Sequence, residues 1–160
     1  MDNIKIPARE DCIDILNKNK TPSNVIEHCK TVCEVAEDVA DKLINNGIKV
    51  NRKLVVAAAL LHDIERVKEN HIAEGAKLLK NMGFPEVSEV IRKHSLHGIE
   101  DQNRQPKTIE EKIVFYADKR VMRNNIVSLE ERFEDLKKRY NLDFTKELEF
   151  TKKIEEELIN

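Results

Sequence analysis

Glycine and proline are scarce, four of each in a chain of 160 residues, and few backbone breakers argue for helix over sheet. Charge of one sign is also lacking: 28 basic residues face 30 acidic ones, for a net charge of −2. That balance excludes the general electrostatic footprint of a protein that binds long duplex nucleic acid. Nor does any run approach the ~18 apolar residues needed to cross a bilayer, so no membrane span is expected. The opening Met1-Asp2-Asn3-Ile4-Lys5 has no apolar signal region, and a cytoplasmic location is expected. Cysteine occurs three times, an odd number that forms no disulfide framework. Cys29 and Cys33 lie one helical turn apart beside His28, which raises a thiolate metal site, but small buried residues in a reduced cytosol account for them better.

What is present reads as a succession of helices with legible ends. The first covers about 8–17. The second starts with Thr21 as N-cap and Pro22 in the first turn, and stops before Gly47. Val25, Cys29, Val32, Ala36, Val39 and Leu43 form its apolar stripe, the spacing of one buried face. A third helix begins after Asn51 and runs through Leu54–Leu61, apolar nearly all round, which makes it the central one. Shorter helices follow at about 71–82, closed by Gly83, and about 85–95, opened by Pro85. Thr108 with Glu111 and Ser128 with Glu131 are capping boxes that open helices over about 108–122 and 128–139. A last amphipathic helix spans about 144–158, and 98–107 is the longest polar loop. The expectation is one all-α domain over 1–160, of about seven to eight helices.

The dipeptide His62-Asp63 closes the apolar run Ala59-Leu60-Leu61. A carboxylate placed where a helix has just been buried costs several kcal/mol unless its charge is compensated. A divalent metal compensates it and also accounts for the adjacent imidazole. Matching residues occur on other helices. His28 shares the apolar face of Val25 and Val32, His94 follows Val90 and Ile91 at helical offsets, and Asp118 falls between Val114 and Val121. His71 opens a helix of its own, and Gly75 one turn later lets the backbone come close to whatever His71 touches. Imidazole with carboxylate suits iron, manganese, cobalt or zinc better than magnesium or calcium. The spacing is neither that of a zinc finger nor His-Glu-x-x-His.

His28, then His62-Asp63, then Asp118 resembles the HD superfamily of metal-dependent phosphohydrolases, named for that dyad. Asn70–Ala76, Ile91–His94 and Glu111–Asp118 are most similar to the bacterial branch that includes the symmetrical diadenosine tetraphosphate hydrolases. The resemblance covers about 25–125, and His71 follows Asp63 by only eight positions, without the long insert of that branch. It implies a helical fold with an HD-type core at about 21–125 and C-terminal helices at about 128–158. It also implies metal among the core helices, with His71 and His94 holding a second metal or the substrate phosphate.

On this reading His28, His62, Asp63 and Asp118 take a first metal, with Asp63, His71 and His94 around a second metal or the phosphate. His62 and Asp63 stand at the centre of catalysis. Metal-activated water would cleave a phosphoester or phosphoanhydride of a small phosphorylated molecule, with a nucleotide as the expected substrate. Arg66, Lys68 or Lys119 would supply positive charge for the phosphate, or be solvated surface bases. His97 would stand by as a proton donor, or be a surface histidine, and the loop 98–107 would cover the pocket. A dinuclear iron oxygenase with the same ligand type, and a metal-binding regulatory module without catalysis, are the alternatives. The charged face of 128–160 suggests a helical partner-binding protein or a plain solvated surface. A monomer or homodimer is expected.

Overall fold

In the computed structural model, which describes residues 5–159, the chain folds into eight α-helices and one short hairpin. The helices are α1 (Arg9–Lys18), α2 (Ser23–Asn45), α3 (Arg52–Leu61), α4 (His71–Asn81), α5 (Pro85–Arg92), α6 (Ile109–Lys119), α7 (Leu129–Tyr140) and α8 (Thr145–Ile159). Strands β1 (Val121–Met122) and β2 (Asn125–Ile126) pair antiparallel, and they are the whole sheet content of the described residues. The fold is all-α. No helix of the described residues is long and apolar enough to cross a membrane.

Helix α3 is the hub, packed by α1, α2, α5 and α6. Every residue from Leu54 to Leu61 is buried, and Ala57, Ala58 and Ala59 have no exposed surface at all. Three consecutive alanines let neighbouring helices approach closely, while Leu60 and Leu61 fill the space beyond. Each such leucine contributes about 1.5–3 kcal/mol through burial. The expected stripe of α2 is buried throughout, from Val25 to Leu43. Both capping boxes are present: Thr108 Oγ accepts from Glu111 N–H at 3.1 Å, and Ser128 Oγ from Glu131 N–H at 3.1 Å. Helix α2 ends where Gly47 takes φ +86°, which lets the Ile48 N–H return to the Leu43 carbonyl at 2.9 Å.

Several boundaries differ from the sequence reading, each for a local reason. Pro22, not Thr21, is the N-cap of α2. The Thr21 hydroxyl is spent elsewhere, donating to the Ile64 carbonyl at 3.1 Å, beside Asn19 Nδ2 at 3.1 Å. These bonds tie the loop before α2 to the turn after His62-Asp63. Helix α5 stops at Arg92, so His94 sits in the following turn, which Lys93 anchors to α6 through Glu111 at 3.1 Å. Helix α6 stops at Lys119 rather than 122. Arg123 takes a left-handed conformation (φ +60°), the chain reverses through Arg123-Asn124, and Val127 N–H donates to the Arg120 carbonyl at 2.8 Å. Gly75 is buried with Ile64 Cγ2 and Ile91 Cδ1 3.4 and 3.6 Å from where its side chain would begin. Its role is to seat α4 on the core, rather than to bring backbone near a ligand. Gly98 is the position where only glycine fits, because a Cβ would lie 2.9 Å from Arg104 Cβ and 3.2 Å from its carbonyl oxygen.

Candidate metal centre

Three imidazoles are aimed by their own backbone surroundings. His62 caps α3 and its Nδ1 donates to the Ala59 carbonyl at 2.7 Å; His94 Nδ1 donates to the Ile91 carbonyl at 2.6 Å. His28 Nδ1 donates to the Arg123 carbonyl at 2.6 Å, so the hairpin that the sequence reading missed is what orients His28. A carbonyl can only accept, which places the proton on Nδ1 and leaves Nε2 of each neutral ring with an outward lone pair. These Nε2 atoms converge on carboxylates. His28 Nε2 lies 3.1 Å from Asp118 Oδ1 and 3.6 Å from Asp63 Oδ2. His62 Nε2 lies 3.2 and 3.3 Å from the same two oxygens.

Lone pairs therefore face lone pairs at close range in a nearly dry place, since His62 is 1% and Asp118 8% exposed. Only protons on Nε2 or a cation between the atoms makes this arrangement favourable. Metal–ligand bonds of about 2.0–2.2 Å put neighbouring ligand atoms about 3–3.5 Å apart, and the observed spacing fits. His28, His62, Asp63 and Asp118 each offer an atom within 4.8 Å of the others and could hold a metal ion. Asp63, His71 and His94 form a second such group. Its distances are looser, with His94 Nε2 3.4 Å and His71 Nε2 3.9 Å from Asp63 Oδ1. One carboxylate thus turns Oδ2 to one set of imidazoles and Oδ1 to the other.

Lys119 sets the second carboxylate. It is 3% exposed, and its Nζ donates to Asp118 Oδ2 at 2.8 Å and to the His94 carbonyl at 2.8 Å. Asp118 Oδ1 is left to face His28 and His62. The carboxylate stands in the last turn of α6, where the helix dipole disfavours negative charge, so its neighbours must supply compensation. Without a metal they do so strongly. Burial raises the Asp118 pKa, but Lys119 and the His28 and His62 hydrogen bonds outweigh it and hold it well below the usual value. Burial also raises the Asp63 pKa, but His62 and His94 outweigh it and hold it well below the usual value. For His62, burial lowers the pKa, yet Asp63 and Asp118 hold it well above the usual 6.5. Burial wins at His71 and at Lys119, whose pKa values are lowered.

The centre opens into a cleft of about 900 Å³, within the range of small-molecule sites. Arg66, His97 and Lys119 line it, along with His28, His71, His94 and the two aspartates. Lys68 does not; it is turned toward Glu65 at 3.2 Å. The polar loop 98–107 contributes no lining residue, so it does not cover the cleft as expected. The far wall comes instead from α7 and the corner before α8, which include Arg132, Leu136, Tyr140 and Phe144. The charges along this stretch suggest a solvated or partner-binding face; only Arg132, Leu136 and Tyr140, four residues apart on one helix side, signal the wall. Cys29 lies beside His62, but burial raises its pKa, as it raises Cys12 and Cys33 to about 12, so the cysteines are thiols rather than thiolate ligands.

Known proteins carry a similar segment. A tRNA (cytidine(56)-2′-O)-methyltransferase of Picrophilus torridus is 35% identical over 140 residues, 79% of this chain and 40% of that protein. An uncharacterized protein of Methanocaldococcus jannaschii is 32% identical over 144 residues, 81% of this chain and 85% of its own length. A dihydroneopterin 2′,3′-cyclic phosphate phosphodiesterase of Methanocaldococcus jannaschii is 33% identical over 124 residues, 66% of this chain and 49% of that protein. The chain thus spans less than half of the methyltransferase and about half of the phosphodiesterase. No solved structure matches. The HD domain model matches residues 25–123, the span that holds all six converging side chains, and the chain belongs to the HD domain family.

Proposed function

We propose that this protein is a metal-dependent phosphohydrolase that cleaves a phosphoester or phosphoanhydride bond in a small, nucleotide-like substrate. The observation that carries the reading is Asp63, with its two oxygens facing two different histidine sets. His28, His62, Asp63 and Asp118 would hold one divalent transition metal (iron, manganese, cobalt or zinc), and Asp63, His71 and His94 a second metal or the phosphate. A metal bound there supplies Lewis acidity and a lowered water pKa at neutral pH. The chain's own groups do the rest. Lys119 fixes the Asp118 carboxylate, and the Ala59, Ile91 and Arg123 carbonyls fix the ring orientations. Arg66 would hold non-bridging phosphoryl oxygens, while His97, exposed on the cleft wall, would give a proton to the leaving oxygen.

The phosphodiesterase among the relatives supports phosphoester chemistry. The methyltransferase likeness rests on 40% of that protein, and a cluster of imidazoles and carboxylates is apt for hydrolysis rather than methyl transfer. The test is phosphate release from mononucleotides, cyclic nucleotides and dinucleoside polyphosphates, diadenosine tetraphosphate included, with iron, manganese, cobalt or zinc. Turnover that depends on metal and disappears in Asp63→Ala supports the reading. Faster cleavage of long RNA or DNA than of any small substrate overturns the substrate class, and no hydrolysis of any phosphoester with metal bound overturns the reaction. A reaction lost only when oxygen is removed would point to an oxygenase.

A further inference from the structure

Part of the cleft wall, including Arg132, Leu136, Tyr140, Leu142 and Phe144, is built by residues beyond 123, outside the span matched by the family model. Helix α7 ends at Asn141 in a left-handed conformation (φ +52°). That reversal brings Leu142 and Phe144 back to the same cleft as Tyr140. Tyr140 and Phe144 lie with ring centroids 6.5 Å apart, tilted by 69°. Tyr140 is 50%, Leu142 55% and Val67 74% exposed, and all three line this cleft. Exposed apolar groups gathered at the mouth of one cleft mark a surface that waits for an apolar partner.

Positive charge is gathered beside them. Arg66, Arg123 and Arg132 all line the cleft, and none has a carboxylate within ion-pairing distance among the described residues. By contrast Arg139, also on the wall, is paired with Asp135 at 2.9 Å. Arg132 Nε is buried with no hydrogen-bond partner, the one such side-chain atom among the described residues. That N–H is closed off from the cleft, but Arg132 is only partly buried and lines it without an ion pair, so the rest of its guanidinium is free to meet a ligand anion. Arg132 and Lys119 line the same cleft. In a chain of net charge −2, three unpaired guanidiniums next to an apolar mouth describe a ligand with an anionic end and a flat apolar end.

We propose that this wall is a specificity subsite for the heteroaromatic base of a phosphorylated nucleoside-like substrate, with Tyr140, Leu142 and Phe144 against the base and Arg132 on the phosphate. It rests on the phosphohydrolase reading for the position of the phosphate alone. Rings of this kind stack on any base face, which gives affinity with modest discrimination among bases.

Calorimetry with metal-loaded protein tests it, using hydrolysis-resistant phosphonate analogues of the four nucleoside 5′-monophosphates and of ribose 5-phosphate. The best nucleoside analogue should bind about tenfold or more tightly than the ribose analogue. Tyr140→Ala should reduce that ratio to about threefold or less while affinity for the ribose analogue stays within about twofold; Tyr140→Phe should keep the ratio. Arg132→Gln should weaken every analogue by about fivefold or more, ratio intact. Equal affinity of base and base-free analogues in the wild type overturns the subsite, as does a preference that survives Tyr140→Ala. Metal content of the same protein preparations, and their phosphate release from the corresponding hydrolysable monophosphates, separate the two readings. Metal-dependent hydrolysis without base preference removes the subsite alone, and base preference without any hydrolysis removes the hydrolase reading alone.

Discussion

Lys119→Met tests how the centre is held open. The lysine is 3% exposed and its ammonium makes two 2.8 Å bonds, to Asp118 Oδ2 and to the His94 carbonyl. Methionine keeps most of the volume, so little cavity forms. What is lost is the cation. Removing one member of a buried ion pair costs about 3–5 kcal/mol, because the remaining charge is left uncompensated. In metal-free protein the imidazoles around Asp118 Oδ1 offset part of this, so about 2–4 kcal/mol is expected. For a chain of this size, about 2–4 °C of melting temperature accompanies each kcal/mol, which gives a fall of roughly 4–16 °C. Asp118 is also freed to turn, so metal affinity should drop by about tenfold or more. The assay is thermal unfolding of chelator-treated and metal-loaded protein, with metal affinity by competition. A loss below about 1 kcal/mol with unchanged metal affinity would refute the claim that Lys119 positions Asp118.

Three further outcomes are expected. His62 is held above its unfolded pKa, so in metal-free protein its stabilisation is full below about 6.5 and is lost as pH rises through the raised folded value. Asp63 and Asp118 are depressed, so theirs is present above about 4 and lost as pH falls through the folded values; denaturant titrations of chelated protein from pH 3 to 9 check both. The double substitution His71→Ala with His94→Ala should lower saturating metal stoichiometry from about two to about one by elemental analysis; a value of one that stays at one while substrate affinity falls assigns these imidazoles to phosphate. Leu60→Ala, at 1% exposure on the hub helix, should cost about 2–5 kcal/mol in urea unfolding without changing metal content.

The fold was legible where burial and capping act locally. The all-apolar run Leu54–Leu61, the stripe of α2 and the Thr108 and Ser128 boxes needed no tertiary information. Of the six converging residues, His28 was legible from the helical register of its apolar neighbours, and His62 and Asp63 from a charge placed at the end of a buried helix. What escaped depends on contacts distant in sequence. Thr21 looked like a cap, but its hydroxyl serves Ile64, 43 positions away. The hairpin after α6 had too few residues to show a period, yet its Arg123 carbonyl orients His28 across 95 positions. Lys119 read as a phosphate-binding or solvated base, since no local pattern tells that a lysine beside a buried aspartate is itself buried. Arg132 and Tyr140 were hidden in a helix whose many charges look solvated until the cleft is closed by them.

The most direct measurement of the central claim is the metal content of purified protein after reconstitution with iron, manganese, cobalt or zinc, compared with Asp63→Ala. Asp63 lies within reach of all four converging imidazoles, so the wild type should hold one to two equivalents and the variant should hold almost none. Less than about a tenth of an equivalent in reconstituted wild type, or an Asp63→Ala variant that binds as much metal as the wild type, would contradict the account.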